Sequence, residues 1–350
     1  MRGYVFGAGA SVDAQYPLAS NLLTGLSVWL AAQDIKKVRK IKDFQSRIAQ
    51  IRSFIGSLNN FEAILRRLGT QGLDRVDIGS NGMYEQCDLD LFEDATRGNP
   101  GGKNGFYPQY LRLDLVSALR LYFLDLESGR DRSKGYGYES LAHQRVTPDD
   151  TLISFNYDVA LDRALRKAEK WDVGSGYGFP LFPDRSKSLI TLFKLHGSVN
   201  WFRPAGPGQD DQLPPLMFER DLKLLGYPDL RDTRVGPEGF ASNEESPLIL
   251  PDTDKKFYWE GLWEPLWNSA AERLRHVREL FIFGYSLPRS DARARRLLCD
   301  NVSRDAAVHI FCKRDSEGIA SQFRACDFTD VRPNSEVGVE QWAAMDSSSR

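Results

Sequence analysis

The sequence predicts an α/β protein built on a doubly wound, mostly parallel Rossmann-like sheet with an inserted helical subdomain. Two observations predict it. Short apolar runs ending in glycine or polar residues recur along the chain, and segments with helical spacing of apolar residues separate them. Strands that alternate with helices are joined by right-handed crossovers, which makes the sheet parallel and places ligands beyond the carboxyl ends of its strands.

Tyr4-Val5-Phe6 is the first apolar run. It stops at Gly7, and Leu18, Leu22, Leu23, Leu26 and Leu30 follow with helical spacing, so the segment reads as strand, tight glycine turn, helix. Phe44, Ile48, Ile51 and Ile55, then Phe61, Ile64, Leu65 and Leu68, predict an inserted helical pair. Arg97 to Gly105 reads as a loop, and Tyr110 to Leu126 as a buried helix that returns to the sheet; the helical insertion thus covers about 35–130. Thr151 to Phe155 is the clearest central strand. It ends in Asn156-Tyr157-Asp158, before an amphipathic helix carrying Ala160, Leu161, Ala164 and Leu165. Leu189 to Leu195 forms another strand leading into His196-Gly197-Ser198, and the Pro-, Gly- and Asp-rich stretch of about 203–256 reads as an irregular insertion or lid. Glu279 to Phe283 is a strand broken by Gly284, followed by a helix from Ser290 to Val302 and a strand from Ala307 to Phe311. Trp259, Trp263 and Trp267 recur every four residues, as on the core-facing edge of a helix. Residues 1–315 read as one domain and 316–350 as a C-terminal extension, its last 20 residues a tail.

Composition bounds the function. A formal net charge of −2 gives no overall field to hold a phosphate backbone, so direct nucleic-acid binding is not expected. Cys87, Cys299, Cys312 and Cys326 form no C-x-x-C pair, which argues against a zinc ribbon and for reduced, mostly buried thiols. No run approaches the ~18 consecutive apolar residues of a membrane span, and the amino terminus lacks the regions of a signal peptide; a cytoplasmic location is expected.

Four places carry chemistry. Gly7-Ala8-Gly9 after the first strand would let a backbone approach a pyrophosphate, with the next helix offering its N–H groups, or would serve only as a tight turn; the third glycine of the dinucleotide fingerprint is replaced by Val12. Asn156 and Asp158 at a strand end are placed to hydrogen-bond a ligand, or to shape a turn and cap a helix. His196 between a strand and Gly197 has the chemistry of a general base near neutral pH, or serves a structural role as lone loop histidines more often do. Gly284-Tyr285-Ser286-Leu287-Pro288, with Asp291 at a helix start, would hold ribose or phosphate or turn the chain.

In this order, Gly7-Ala8-Gly9-Ala10-Ser11, Phe155-Asn156-Tyr157-Asp158, Lys194-Leu195-His196-Gly197-Ser198 and Gly284-Tyr285-Ser286-Leu287-Pro288 followed by Asp291 resemble the sirtuin-like family, specifically its zinc-ribbon-free bacterial anti-phage branch. Tyr16-Pro17-Leu18-Ala19, Asn60-Phe61-Glu62 and Pro247 to Pro251 support the resemblance. It implies that Gly7, Ala8 and Gly9 cradle the pyrophosphate of NAD with Ser11 close by. Asn156 would hold the nicotinamide ribose or a water, Asp158 the nicotinamide carboxamide, and His196 would activate a ribose hydroxyl or a water. Gly284 and Ser286 would contact the adenosine side, with Tyr285 and Asp291 in the same cofactor-binding set. Deacylating sirtuins carry a glutamine where this chain has Phe155, and a four-cysteine zinc ribbon that it lacks.

The resemblance therefore implies an NAD glycohydrolase that needs no metal and depletes NAD as an anti-phage effector. An NAD-dependent protein deacylase and a non-catalytic subunit binding NAD or ADP-ribose are the alternatives. The partners it implies are a homo-oligomer, or a separate sensor or activator such as a DNA-translocase-type ATPase or an Argonaute-type protein.

Overall fold

The computed structural model describes residues 1–32, 137–173, 175–179, 189–204, 260–288 and 291–345, with helical residues between 119 and 127, residue 248 and two short strands. In chain order these form β1 (Arg2–Phe6), α1 (Ala19–Ala32), β2 (Thr151–Ser154), α2 (Ala160–Lys167), β3 (Thr191–Lys194), β4 (Trp201–Pro204), β5 (Met217–Phe218) and β6 (Glu244–Glu245). There follow α3 (Glu260–Leu274), β7 (Glu279–Phe283), α4 (Ala292–Asn301), β8 (Ala307–Phe311), α5 (Ser316–Arg324), β9 (Val331–Asn334) and α6 (Val339–Ala344).

Six of the strands make one sheet in the order β3-β2-β1-β7-β8-β9, and every neighbouring pair is parallel. The expected mostly parallel sheet is wholly so. β1, β2, β3 and β7 are almost entirely buried, which is why each reads as a near-continuous apolar run. From β1 the chain builds one flank through β2 and β3 and the other through β7, β8 and β9, so the order reverses between β1 and β7. The register is level there: Phe6 pairs with both Ser154 and Phe283, Ser154 with Lys194, and Phe283 with Phe311. The loops beginning at Gly7, Phe155, Leu195, Gly284 and Cys312 consequently start side by side along one edge of the sheet.

Two expectations are corrected. The last 20 residues are not simply a tail, because after α5 they supply the edge strand β9 and α6. The polar Val331-Arg332-Pro333-Asn334 hid a strand, and its proline is tolerated because β9 pairs on one side only. Trp342 of α6 packs 4.8 Å from the Phe281 ring and 5.3 Å from that of Phe283, so the segment closes one face of the central sheet. The thiols are not all reduced: Cys299 on α4 and Cys326 after α5 form a disulfide across Cα atoms 6.0 Å apart, a pairing that two consecutive crossover helices create and sequence spacing does not reveal. Cys312 is free. α1 starts at Ala19, in keeping with the helical spacing read from Leu18 onward, and the glycine turn before it opens a 3-10 turn over Ala8–Ser11.

Trp263 and Trp267 are buried on α3, as their spacing predicts, while Trp259 lies outside the described residues. So do the helical pair of 41–70, the loop of 97–105 and most of the expected lid. Within the latter region β5 and β6 flank β4 in a small antiparallel sheet. Leu119, Tyr122 and Phe123 are buried on helical residues, in keeping with the helix expected up to Leu126. Among the described residues, no helix is long and apolar enough to cross a membrane.

Candidate active site at the sheet's switch point

The turn after β1 and the loop after β7 are packed backbone to backbone. Gly7 N–H donates to Phe283 O (2.9 Å), Gly9 N–H to Gly284 O (2.9 Å), and Gly284 N–H to Phe311 O (2.8 Å). A Cβ on Gly7 would lie 2.5 Å from the Tyr285 Cα, and one on Gly284, whose φ is +56°, 2.1 Å from the Ala10 nitrogen. No side chain fits at either position. These glycines are required first by the contact between the two loops. The Gly9 and Ala10 amides are engaged within the protein, Ala10 N–H by Gly7 O at 2.9 Å, so the turn offers a pyrophosphate fewer donors than its sequence suggests.

Asn156 follows β2 and reaches across to this turn. Its Nδ2 donates to Gly7 O (2.9 Å) and to Ser11 Oγ (3.0 Å), which uses both amide hydrogens and turns Oδ1 the other way. Ser11 is buried and also shares a 2.9 Å hydrogen bond with the Tyr138 hydroxyl. Asp158 accepts from the Ala160 N–H (3.0 Å) at the start of α2, so the capping role is real. Burial pushes the Asp158 carboxyl above the usual carboxylate range, against the opposing pull of Lys194, the Ala160 N–H and Ser11. Beneath it lies a buried polar network. Lys194, fully enclosed, donates to the Asp158 carbonyl oxygen and reaches the Asp162 carboxylate at 3.3 Å; the Tyr177 hydroxyl also donates to Asp162 and accepts from Asn200 (2.9 Å). Such a satisfied network fixes the ends of β2 and β3 relative to one another.

His196 follows β3. Its Nε2 lies 3.0 Å from Asp291 Oδ2, and both residues are buried. Asp291 caps α4 through the Ala294 N–H (3.4 Å) and accepts from the Tyr285 hydroxyl (2.7 Å). Burial first, then the Asp291 charge, raises the Tyr285 pKa well above normal, so this hydroxyl stays a donor. Phe155 lies between the two rings, stacked on Tyr285 at 4.4 Å and tilted against His196 at 4.9 Å. The large apolar residue before Asn156 thus has a packing role.

A cavity of about 530 Å³ opens over these loops, within the range of small-molecule sites. Gly7, Ala8, Gly9, Asn156, Asp158, His196, Gly284, Tyr285, Ser286 and Asp291 all line it. Of the eleven candidate site residues, only Ser11 does not, because it stands behind the wall and holds Asn156. Sequence reasoning missed the far wall, where Cys312, Lys313, Arg314 and Asp315 after β8 and Val337 to Val339 at the start of α6 close the cavity. The first group follows a predicted strand, so the rule that ligands sit beyond strand ends would have found it. Among the described residues, no group of three or more His, Cys, Asp or Glu is placed to hold a metal ion.

Fold and site together define a doubly wound α/β protein with a cleft at its switch point, where sheets of this type hold nucleotides. No family model and no curated protein matches the chain. Among solved structures it is similar to one titled "Structural Basis for the Mechanism and Regulation of Sir2 Enzymes", with a TM-score of 0.40 and 11% identity, over 95% of this chain and 86% of that one. At that level the likeness is one of outline. The fold assignment rests on the strand order and parallel register.

Proposed function

We propose that this chain is an NAD glycohydrolase, which cleaves NAD to nicotinamide and ADP-ribose. The observation that carries the reading is the convergence of Asn156, Asp158 and His196, from two different strand ends, on one cavity beside the glycine turn. These are the positions at which the sirtuin-like motifs place the reactive groups.

Each residue has a task in the reaction. The nicotinamide N1–C1′ bond breaks with its electron pair going to the departing ring, which becomes neutral, and positive charge develops on the ribose. Water adds to C1′, and His196 takes the proton that water releases. Asn156 Oδ1, turned away from Gly7 and Ser11, accepts a hydrogen bond from that water or from a ribose hydroxyl. Asp158, its carboxyl pushed toward the protonated form by burial, holds the nicotinamide carboxamide. The apolar walls formed by Phe155, Tyr157 and Phe123 limit the access of bulk water to the developing charge.

Unrestrained, this activity would empty a cell of NAD. We assign the chain to NAD depletion in anti-phage defence, held in check by a homo-oligomer or a separate sensor protein. The direct test is incubation of the full chain with NAD while nicotinamide and ADP-ribose are followed by chromatography. Release should fall at least about 100-fold in His196→Ala and in Asn156→Ala, the scale of a lost acid–base or positioning group. Equal rates in wild type and His196→Ala would overturn the reading. Release only when an acylated lysine peptide is added would make the chain a deacylase, and tight ADP-ribose binding without turnover a non-catalytic subunit.

A further inference from the structure

The sequence motifs place Asp291 in the cofactor-binding set, yet its carboxylate faces protein on three sides: His196 Nε2 at 3.0 Å, the Tyr285 hydroxyl at 2.7 Å and the Ala294 N–H at 3.4 Å. Only 3% of the residue is exposed. We propose that Asp291 is a positioning residue for the reaction, fixing His196 as the Nε2–H tautomer so that Nδ1 is its basic nitrogen.

An ionised carboxylate only accepts, so the imidazole nitrogen facing Asp291 carries a hydrogen, and in the neutral ring the other nitrogen is then the base. The tautomer persists only if the carboxylate stays in place. The Tyr285 hydroxyl donates to the same oxygen, Oδ2, that His196 uses, while Ala294 holds the other. Phe155 sandwiched against Tyr285 and His196 limits rotation of both rings. Base, orienting carboxylate and a third group holding the carboxylate come from β3, from the start of α4 and from the loop after β7. This is the general logic by which an active-site histidine is oriented.

A purely structural reading makes Asp291 the cap of α4. The two readings separate in Asp291→Asn, because asparagine caps a helix about as well as aspartate but can present an N–H to the imidazole. The inference rests on the glycohydrolase reading for its kinetics but not for its spectroscopy. The chain has only four histidines, so long-range ¹⁵N NMR of histidine-labelled protein, with His196→Ala for assignment, reads this ring directly. At pH 8 the His196 signals should show the Nε2–H tautomer in wild type, and the Nδ1–H form or a mixture in Asp291→Asn at an unchanged melting temperature. NAD turnover in that variant should lose about 10- to 100-fold in kcat with KM little changed, and Tyr285→Phe should lose less. An Nδ1–H or doubly protonated ring in the wild type would overturn the proposal. So would an Asp291→Asn protein with wild-type tautomer and kcat. Should the wild type release no nicotinamide, the glycohydrolase reading fails while the tautomer still decides what Asp291 does to His196.

Discussion

At the β2 and β3 ends of the cleft, Asn156, Asp158 and His196 are buried and each is held by a neighbour, whereas at the β8 end Lys313 and Arg314 stand exposed and form no ion pair with any described residue. Both sets line the same cavity. On the proposed reading the two ends have different tasks. A reacting centre gains from groups fixed in advance, since their reorganisation then costs nothing during the reaction. An anchoring end needs charge and reach more than precision, and solvated cations supply attraction for an anionic ligand at long range. Between the two ends the β1 and β7 loops are locked backbone to backbone, and both ends depend on that contact.

The largest break in this arrangement is Gly284→Ala. Its positive φ and the 2.1 Å approach of the new Cβ to the Ala10 nitrogen should cost on the order of 3–5 kcal/mol, read by chemical denaturation, and should weaken ligand binding at both ends. A loss under 1 kcal/mol would show that the loop contact is not what holds the cleft.

Asn156→Asp comes next. It removes the amide hydrogens donated to Gly7 and Ser11 while keeping size, and should lower kcat about 100-fold or more, with a change of about 1–3 kcal/mol in stability. Wild-type kcat would detach this residue from the reaction.

At the other end, Lys313→Ala with Arg314→Ala should raise KM about 5- to 10-fold, leave kcat within about twofold and reduce the salt dependence of binding. A fall in kcat instead would mean that the two ends are not divided as described.

The smallest expected effect concerns Asp158→Asn. Because burial raises this carboxyl above its unfolded value, ionising it in the fold costs stability as pH rises from about 4 through the raised pKa. The asparagine variant should therefore be more stable than wild type at neutral pH, the gain vanishing near pH 3, as thermal melts across that range would show.

Local patterning determined much of this protein. Tyr4-Val5-Phe6, Thr151 to Ser154 and Glu279 to Phe283 read as strands because a parallel sheet covered on both faces needs continuous apolar residues, and the glycines at 7, 9 and 284 mark where the chain must pass without a side chain. Ten of the eleven site residues chosen from sequence line one cavity for the same reason: all follow strand ends, and level register brings those ends together. What tertiary structure decided is what each residue faces. Ser11 supports Asn156 across 145 positions, Asp291 faces His196 rather than open space, and Trp342 turns an expected tail into part of the core. Hydrogen-bond partners and packed rings this far apart in the chain leave no periodicity in it, because the crossovers and the sheet order, not the local sequence, set who meets whom.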